Sequence, residues 1–220
     1  MIRPKLPQVP TFAPRPKVVL ASHNAAKLAE LQRLVVAAGL YLDLVSLADF
    51  PGSTPPAETG RTFTENALIK ARAAVRETGL AALADDSGIE VDVLNGMPGV
   101  RSARWAGPEG DDLANLHLLL RQVDDVPQEH RQARFICAMA HVDVNGDELV
   151  TVGVWPGVLA TEPVGSHGFG YDPIFIPEGA TLTSAQLTPE QKDSQSHRAR
   201  AVKAMITALH HRQHPTQEDL

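Results

Sequence analysis

The chain has 220 residues, and 20 Lys+Arg against 26 Asp+Glu leave a formal net charge of −6. That length suits one large domain or two lobes and is ample to bury a core, and 43% apolar with 21% charged residues excludes a chain disordered throughout. The acidic balance speaks against broad nonspecific nucleic-acid binding, while the single cysteine excludes an internal disulfide framework and fits a reducing compartment such as the cytoplasm.

Residues 1–16 carry five of the 17 prolines and no apolar h-region, so they read as an extended Pro-rich arm rather than a secretory signal. Lys17 to Ser22 is a short apolar strand, followed by a helix from about Asn24 to Ala38 with Leu28, Leu31, Leu34, Val35 and Ala38 on one stripe and Gly39 as its stop. Tyr41 to Val45 alternates as a second strand, and Ser46 to Gly60 is a loop rich in Pro, Gly, Ser and Thr. Thr62 and Glu65 have capping-box spacing and open a helix through about Thr78.

Leu80 to Ala84 reads as a strand ending at Asp85-Asp86-Ser87-Gly88, with a further strand at Ile89 to Val93 and a glycine-containing loop from Asn95 to Gly110. A helix is expected over about 111–123. Arg134 to Val144 and Glu148 to Val154 flank Asn145-Gly146, a strong hairpin signal. Gly165 to Gly170 is a second Gly-rich loop, Ile174 to Ile176 a short strand, Thr188-Pro189-Glu190-Gln191 a helix start, and Ser196 to about His211 a final helix before a polar tail at 213–220. Interleaved helices and strands with a long hairpin predict an α/β fold, a two-lobed mixed β-sheet flanked by helices with a central active-site cleft, in one domain over 17–212. No run approaches the ~20 apolar residues of a membrane span.

Five segments carry candidate chemistry. Ser22-His23-Asn24-Ala25-Ala26-Lys27 joins a strand to a helix start, where unpaired N–H groups and a partial positive charge favour phosphate; the plain alternative is Asn24 as a cap and Lys27 as a solvated charge. In Asp85-Asp86 adjacent residues face opposite ways, so one carboxylate enters the cleft, at a strand end suited to Mg²⁺; the plain alternative is an Asp-rich turn opening at Gly88. Glu58 lies in a loop with no visible structural duty, while Glu65 reads as a cap and the ordinary reading of Lys70 is a solvated helix charge. In Gly168-Phe169-Gly170-Tyr171-Asp172 the glycines let backbone approach a ligand and the aromatics offer faces on which a base can stack, the plain alternative being a tight turn with two core aromatics. Lys192 and the pair His197-Arg198 at a helix start offer donors to an oxo group or a phosphate, with helix-start solvation as the ordinary reading. Cys137, in an apolar strand, reads as a packed core thiol.

In this order these segments resemble the inosine triphosphate pyrophosphatase family, enzymes of deaminated purine nucleoside triphosphates. The resemblance runs from Lys17 to about Arg212 and rests on SHNAAK at 22–27, ETGRTFTENALIKA at 58–71, ADDSGIEVDVLNGMPGVRSARWAG at 84–107, QARF at 132–135, WPG at 155–157, GFGYDPIF at 168–175 and SHRARA at 196–201. It implies hydrolysis of ITP, dITP and XTP to the monophosphate and pyrophosphate, Mg²⁺ dependence, a homodimer and a role in cleansing the nucleotide pool. By motif position, Ser22, His23, Asn24, Lys27 and Lys70 would hold the triphosphate, and Glu58 and Asp86 would bind Mg²⁺, with Asp86 also activating water. Ser87, Phe169, Gly170, Tyr171 and Asp172 would line the base pocket, with Lys192, His197 and Arg198 closing on the purine. His23 stands where the family often has Gly, and Tyr171 where some members have Trp. The competing readings are a Maf-like pyrophosphatase of modified pyrimidine triphosphates and a non-catalytic nucleotide sensor.

Overall fold

The computed structural model describes residues 15–22, 25–37 and 42–213. The expected Pro-rich arm lies almost wholly outside these residues, as do His23, Asn24, Ala38, Gly39, Tyr41 and the tail from 214.

Strand β1 (Lys17–Leu20) runs into helix α1 (Ala25–Ala37) and strand β2 (Asp43–Ser46), which returns parallel to β1. Helix α2 (Phe63–Thr78) follows, capped at its start by the Thr62 hydroxyl, which accepts from Glu65 N. The Glu65 carboxylate reaches Arg61 N rather than the cap's own N–H, so the expected box is only half built. Strands β3 (Ala81–Val91), β4 (Gln132–Val142), β5 (Glu148–Leu159) and β6 (Phe175–Pro177) complete a six-stranded mixed sheet in the order β2-β1-β3-β4-β5-β6. The β2–β1–β3 side is parallel and the rest antiparallel. Helices α3 (Asp112–Gln122), α4 (Pro189–Asp193) and α5 (His197–Gln213) cover the sheet and its far end, with Thr188 and Gln191 forming the anticipated capping box of α4.

Two expectations are corrected. Asp85-Asp86-Ser87-Gly88 does not end a strand: β3 continues through it, paired to β4 from Ala82 to Val91. The strand that ends here is β1, whose pairing to β3 stops at Leu20↔Leu83. The acidic pair therefore sits where the sheet loses one neighbour and opens. The Asn145-Gly146 hairpin is also longer than read, because β4 closes on β5 at Val142↔Glu148. Asp143 Oδ1 accepts from Asn145 N (2.8 Å) and Asp147 N (2.9 Å), and this side-chain turn displaces the strand ends from Asn-Gly.

Packing explains the two lobes. Alternation along β3 and β4 sends Ala82, Ala84, Ala138, Ala140 and Val142 against α2, and Leu83, Cys137 and Met139 against α1 and α5. Farther along β3 and β4, Ile89, Val91, Ala133 and Phe135, joined by Trp155 and Leu159 of β5, pack with Leu116 and Leu119 of α3 in a separate core. Residues 85–88 lie between these cores. Cys137 is fully buried in the first lobe, as a core thiol should be. Gly153 of β5 lets α5 approach closely, since a Cβ there would lie 2.0 Å from the His197 carbonyl oxygen. That approach seats the first turn of α5, with His197 and Arg198, over the gap.

Candidate active site

The gap is a cavity of about 300 Å³ whose lining includes Ser22, Glu58, Lys70, Asp86, Phe169 and Arg198. β3 supplies opposite chemistry to its two sides. Asp86 faces α2, where Lys70 Nζ donates to its Oδ1 (3.0 Å) and Asn66 Nδ2 to its Oδ2 (3.1 Å). Asn66 and Lys70 are one helical turn apart, so one face of α2 presents both. Lys70 also donates to Glu58 Oε1 (3.1 Å), and Arg104 Nη1 donates to Glu58 Oε2 (3.2 Å). One ammonium thus bridges two carboxylates from distant parts of the chain. Burial pushes Lys70 down, but the charges of Asp86, Asp85 and Glu58 outweigh it and hold the ammonium above its ordinary value. Burial raises Glu58, yet Lys70 and then Arg104 outweigh this and keep it ionised below the usual range.

Asp85 and Ser87 face the other way, toward α5. Arg198 Nε donates to Asp85 Oδ2 (3.3 Å), Nη2 to Ser87 Oγ (2.9 Å) and Nη1 to the Glu30 carboxylate on α1. Arg198 is 1% exposed, so helix-start solvation is not its role. Burial alone would lower it, but the Asp85 and Glu30 charges raise it above the ordinary arginine range.

The Gly-rich loop closes the cavity's second end. Buried Asp172 accepts from Lys192 Nζ (2.5 Å) and Phe169 N (2.9 Å) on Oδ2 and from Ser184 Oγ (2.7 Å) on Oδ1. Asp172 thereby ties the loop to α4. The Phe169 ring lies beneath two cations, with Lys192 Nζ 5.4 Å and Arg198 Cζ 5.8 Å from its centroid. His197 stacks on Phe135 (centroids 4.8 Å, planes 12° apart), forming an aromatic wall. Gly170 N donates to Asp112 Oδ2 (3.0 Å).

Most of the residues singled out from the sequence therefore converge. Ser22, Glu58, Lys70, Asp86, Ser87, Phe169, Gly170, Tyr171, Asp172, Lys192, His197 and Arg198 all line the one cavity. His23, Asn24 and the Lys27 side chain lie outside what is described. Tyr171 departs from the stacking expectation: it is buried, and its hydroxyl donates to Ser102 O (2.8 Å), so it packs as a tethered core aromatic. Asn66, Arg104, Glu30 and Asp85's pairing to Arg198 were missed. Asn66 alone left a signal, its four-residue spacing from Lys70; the others are partners across long sequence distances. No cluster of three or more His, Cys, Asp or Glu suited to a metal occurs among the described residues.

Comparison with known proteins agrees with this arrangement. The Ham1 family profile matches residues 18–208. The dITP/XTP pyrophosphatase of Corynebacterium efficiens is 55% identical over 200 residues, covering 88% of this chain and 97% of that protein. The protein of the same name from Cutibacterium acnes is 54% identical over 195 residues, covering 88% and 96%. Among solved structures, a HAM1 protein from Coxiella burnetii superposes with a TM-score of 0.80 at 41% identity, covering 89% of this chain and 98% of that one. A nucleoside-triphosphatase, dITP/XTP pyrophosphatase, from Mycobacterium abscessus gives 0.71 at 54% identity, covering 86% and 98%. Matched along nearly its whole described length in both sequence and fold, the chain belongs to the Ham1 family.

Proposed function

We propose that this chain hydrolyses dITP, ITP and XTP at the α–β anhydride, releasing the monophosphate and pyrophosphate, with Mg²⁺ as cofactor. The observation that carries this reading is the division of one cavity into an acid–cation end (Glu58, Lys70, Asp86) and an aromatic–cation end (Phe169, Lys192, Arg198). A triphosphate fits the first chemically and a purine the second. The names of the relatives favour purine substrates over a Maf-like pyrimidine activity, and the two carboxylates around Lys70 favour catalysis over mere sensing.

The donor set fits a hard divalent cation. Mg²⁺ is commonly held by one or two carboxylates and completed by substrate phosphate oxygens, and Glu58 with Asp86 already surrounds a positive charge. When bound, Mg²⁺ supplies charge that neutralises phosphate oxygens. Lys70, released from the carboxylates, would turn to the phosphates, joined by Ser22, His23, Asn24 and Lys27. Asp86, oriented by Asn66, is the acceptor for a proton from the attacking water.

The base end supplies selection. Inosine and xanthine carry an acceptor at position 6, adenine a donor. Facing adenine, the buried donors of Lys192 or Arg198 would go unpaired at ~1–3 kcal/mol each, so two mismatches reject ATP by roughly 10²–10⁴-fold. GTP shares the 6-oxygen and must be refused at its 2-amino group. The family resemblance further supports a homodimer, for which the exposed Val152 and Val154 on β5 offer apolar surface, and the single cysteine supports a cytoplasmic setting. No helix among the described residues is long and apolar enough to cross a membrane.

Initial rates on ITP, XTP, GTP, ATP and dUTP, with and without Mg²⁺ and with pyrophosphate assayed separately from phosphate, test the reading. Metal-dependent pyrophosphate release from ITP and XTP, at least ~10²-fold above ATP in kcat/KM, is expected, and Asp86→Asn should lose ~10²-fold or more in kcat while still folded. Equal rates on all five would sink the base pocket, and normal turnover by folded Asp86→Asn would remove Asp86 from the chemistry.

A further inference from the structure

The six-residue 3₁₀ segment Gly99–Arg104 has no part in the reading above, yet it touches both ends of the cavity. It is fixed from three directions. Ser102 Oγ accepts from Ile89 N of β3 (2.9 Å) and donates to Gly99 O (2.6 Å). Asn115 of α3 donates to Ala103 O (3.1 Å) and accepts from Ala106 N (2.6 Å), clamping the backbone on either side of Arg104. The Tyr171 hydroxyl, from the base-side loop, donates to Ser102 O (2.8 Å). From this braced turn Arg104 reaches Glu58 Oε2 at 3.2 Å.

Glu58 needs such a hold. It lies in a segment with neither helix nor strand. Among the described residues, the hydrogen bonds that anchor stretch 54–59 are those of the Glu58 carboxylate itself. Its two oxygens are divided, Oε2 to Arg104 and Oε1 to Lys70. Lys70 is shared with Asp86 and sits inside the cavity, whereas Arg104 is anchored outside it.

We infer that Arg104 is a positioning residue: it pins Glu58 by one oxygen so that the other, which Lys70 holds in the nucleotide-free protein, is oriented to pass from Lys70 to a divalent cation, and the Tyr171–Ser102 bond braces that setting from the base side. This rests on the reading of Glu58 as a metal ligand. A carboxylate ligand held by a fixed donor keeps its orientation, and removing such a donor typically costs 10–100-fold in metal affinity or activity.

The test is direct titration of the nucleotide-free protein with Mn²⁺, free metal being counted by electron paramagnetic resonance, beside Mg²⁺ activation curves at saturating ITP. Arg104→Gln should raise the Mn²⁺ dissociation constant and the half-activating Mg²⁺ about tenfold or more. Arg104→Lys should recover part of the loss, Tyr171→Phe should shift both constants the same way by less, and the ITP/ATP ratio of kcat/KM should hold in all three. Should the wild type bind no Mn²⁺, or Glu58→Gln bind it as wild type does, the metal reading of Glu58 falls, and this inference with it. If Glu58→Gln loses Mn²⁺ while Arg104→Gln binds it normally, the inference alone falls. A raised KM for ITP with unchanged metal constants would instead make Arg104 a direct phosphate contact and overturn the positioning role.

Discussion

Arg198 shows how burial changes what a side chain can be asked to do. Its guanidinium is 1% exposed and joined to Asp85, Glu30 and Ser87, so three of its donors tie α5 to α1 and to the middle of β3 whatever else it contacts. Truncating it takes the guanidinium away from two buried carboxylates. Removing one partner of a buried ion pair typically costs about 3–5 kcal/mol, so Arg198→Ala should lower the unfolding free energy by at least about 3 kcal/mol in urea titration. Lost activity in that variant then says nothing about base reading, whereas Arg198→Lys, which keeps the charge, can report on the ITP/ATP ratio. A loss under about 1 kcal/mol would mean that the network does not carry the packing described. At this scale the sequence was informative about residue type and poor about partnership. Ser-His-Arg and Asp-Asp-Ser-Gly announce donors and acceptors, but nothing near residue 198 points to Glu30, and nothing near Glu58 points to Arg104. Such pairs exist only once the chain has folded.

At the level of elements, β3 matters most. Asp-Asp-Ser-Gly has the composition of a turn, polar and ending in glycine, and local propensity read it so. Tertiary pairing overrides that reading, since β4 supplies a partner at every position from Ala82 to Val91. Gly88 is small for a packing reason: a Cβ there would lie 2.3 Å from Ser102 Oγ and 2.7 Å from Gly99 O. The 3₁₀ turn that carries Arg104 thus rests directly on the strand that carries Asp86. Gly88→Ala should cost about 1–3 kcal/mol as an overpacked contact and weaken Mg²⁺ activation with it, because the turn must shift and Gly99 O, being backbone, cannot rotate away. Denaturant unfolding of the variant measures this, and an unchanged midpoint would contradict the close seating of turn on strand. Elements with regular periodicity or caps were legible within a few residues: α2 ends at Thr78 and α5 runs Residues His197–Gln213 as a single helix. The hairpin ends were not, because Asp143's side chain competes with Asn-Gly for control of the turn.

For the molecule as a whole, two cores on one side of the cavity and one on the other share strands β3, β4 and β5. Those strands pass under the cavity without interruption, so the active residues stand on a continuous hydrogen-bonded floor rather than on a hinge between domains. The two-lobed mixed sheet was legible from the hairpin and the helix–strand alternation; that a single strand would unite the lobes was not, because its midpoint looked like a break. A shared floor has a measurable consequence. Trp105 and Trp155 both belong to the far core, so intrinsic fluorescence reports that lobe, while the long helices α1, α2 and α5 pack on the other and dominate helical circular dichroism. If the lobes were separate cooperative units, the two signals would melt apart. Because β3 to β5 cannot lose their pairing at one end without exposing the buried Asp85, Asp86 and Arg198 at the middle, the lobes should unfold together. Urea curves followed by fluorescence and by circular dichroism should therefore coincide in midpoint and slope, and a fluorescence midpoint separated from the helical one would show the strands yielding at the cavity.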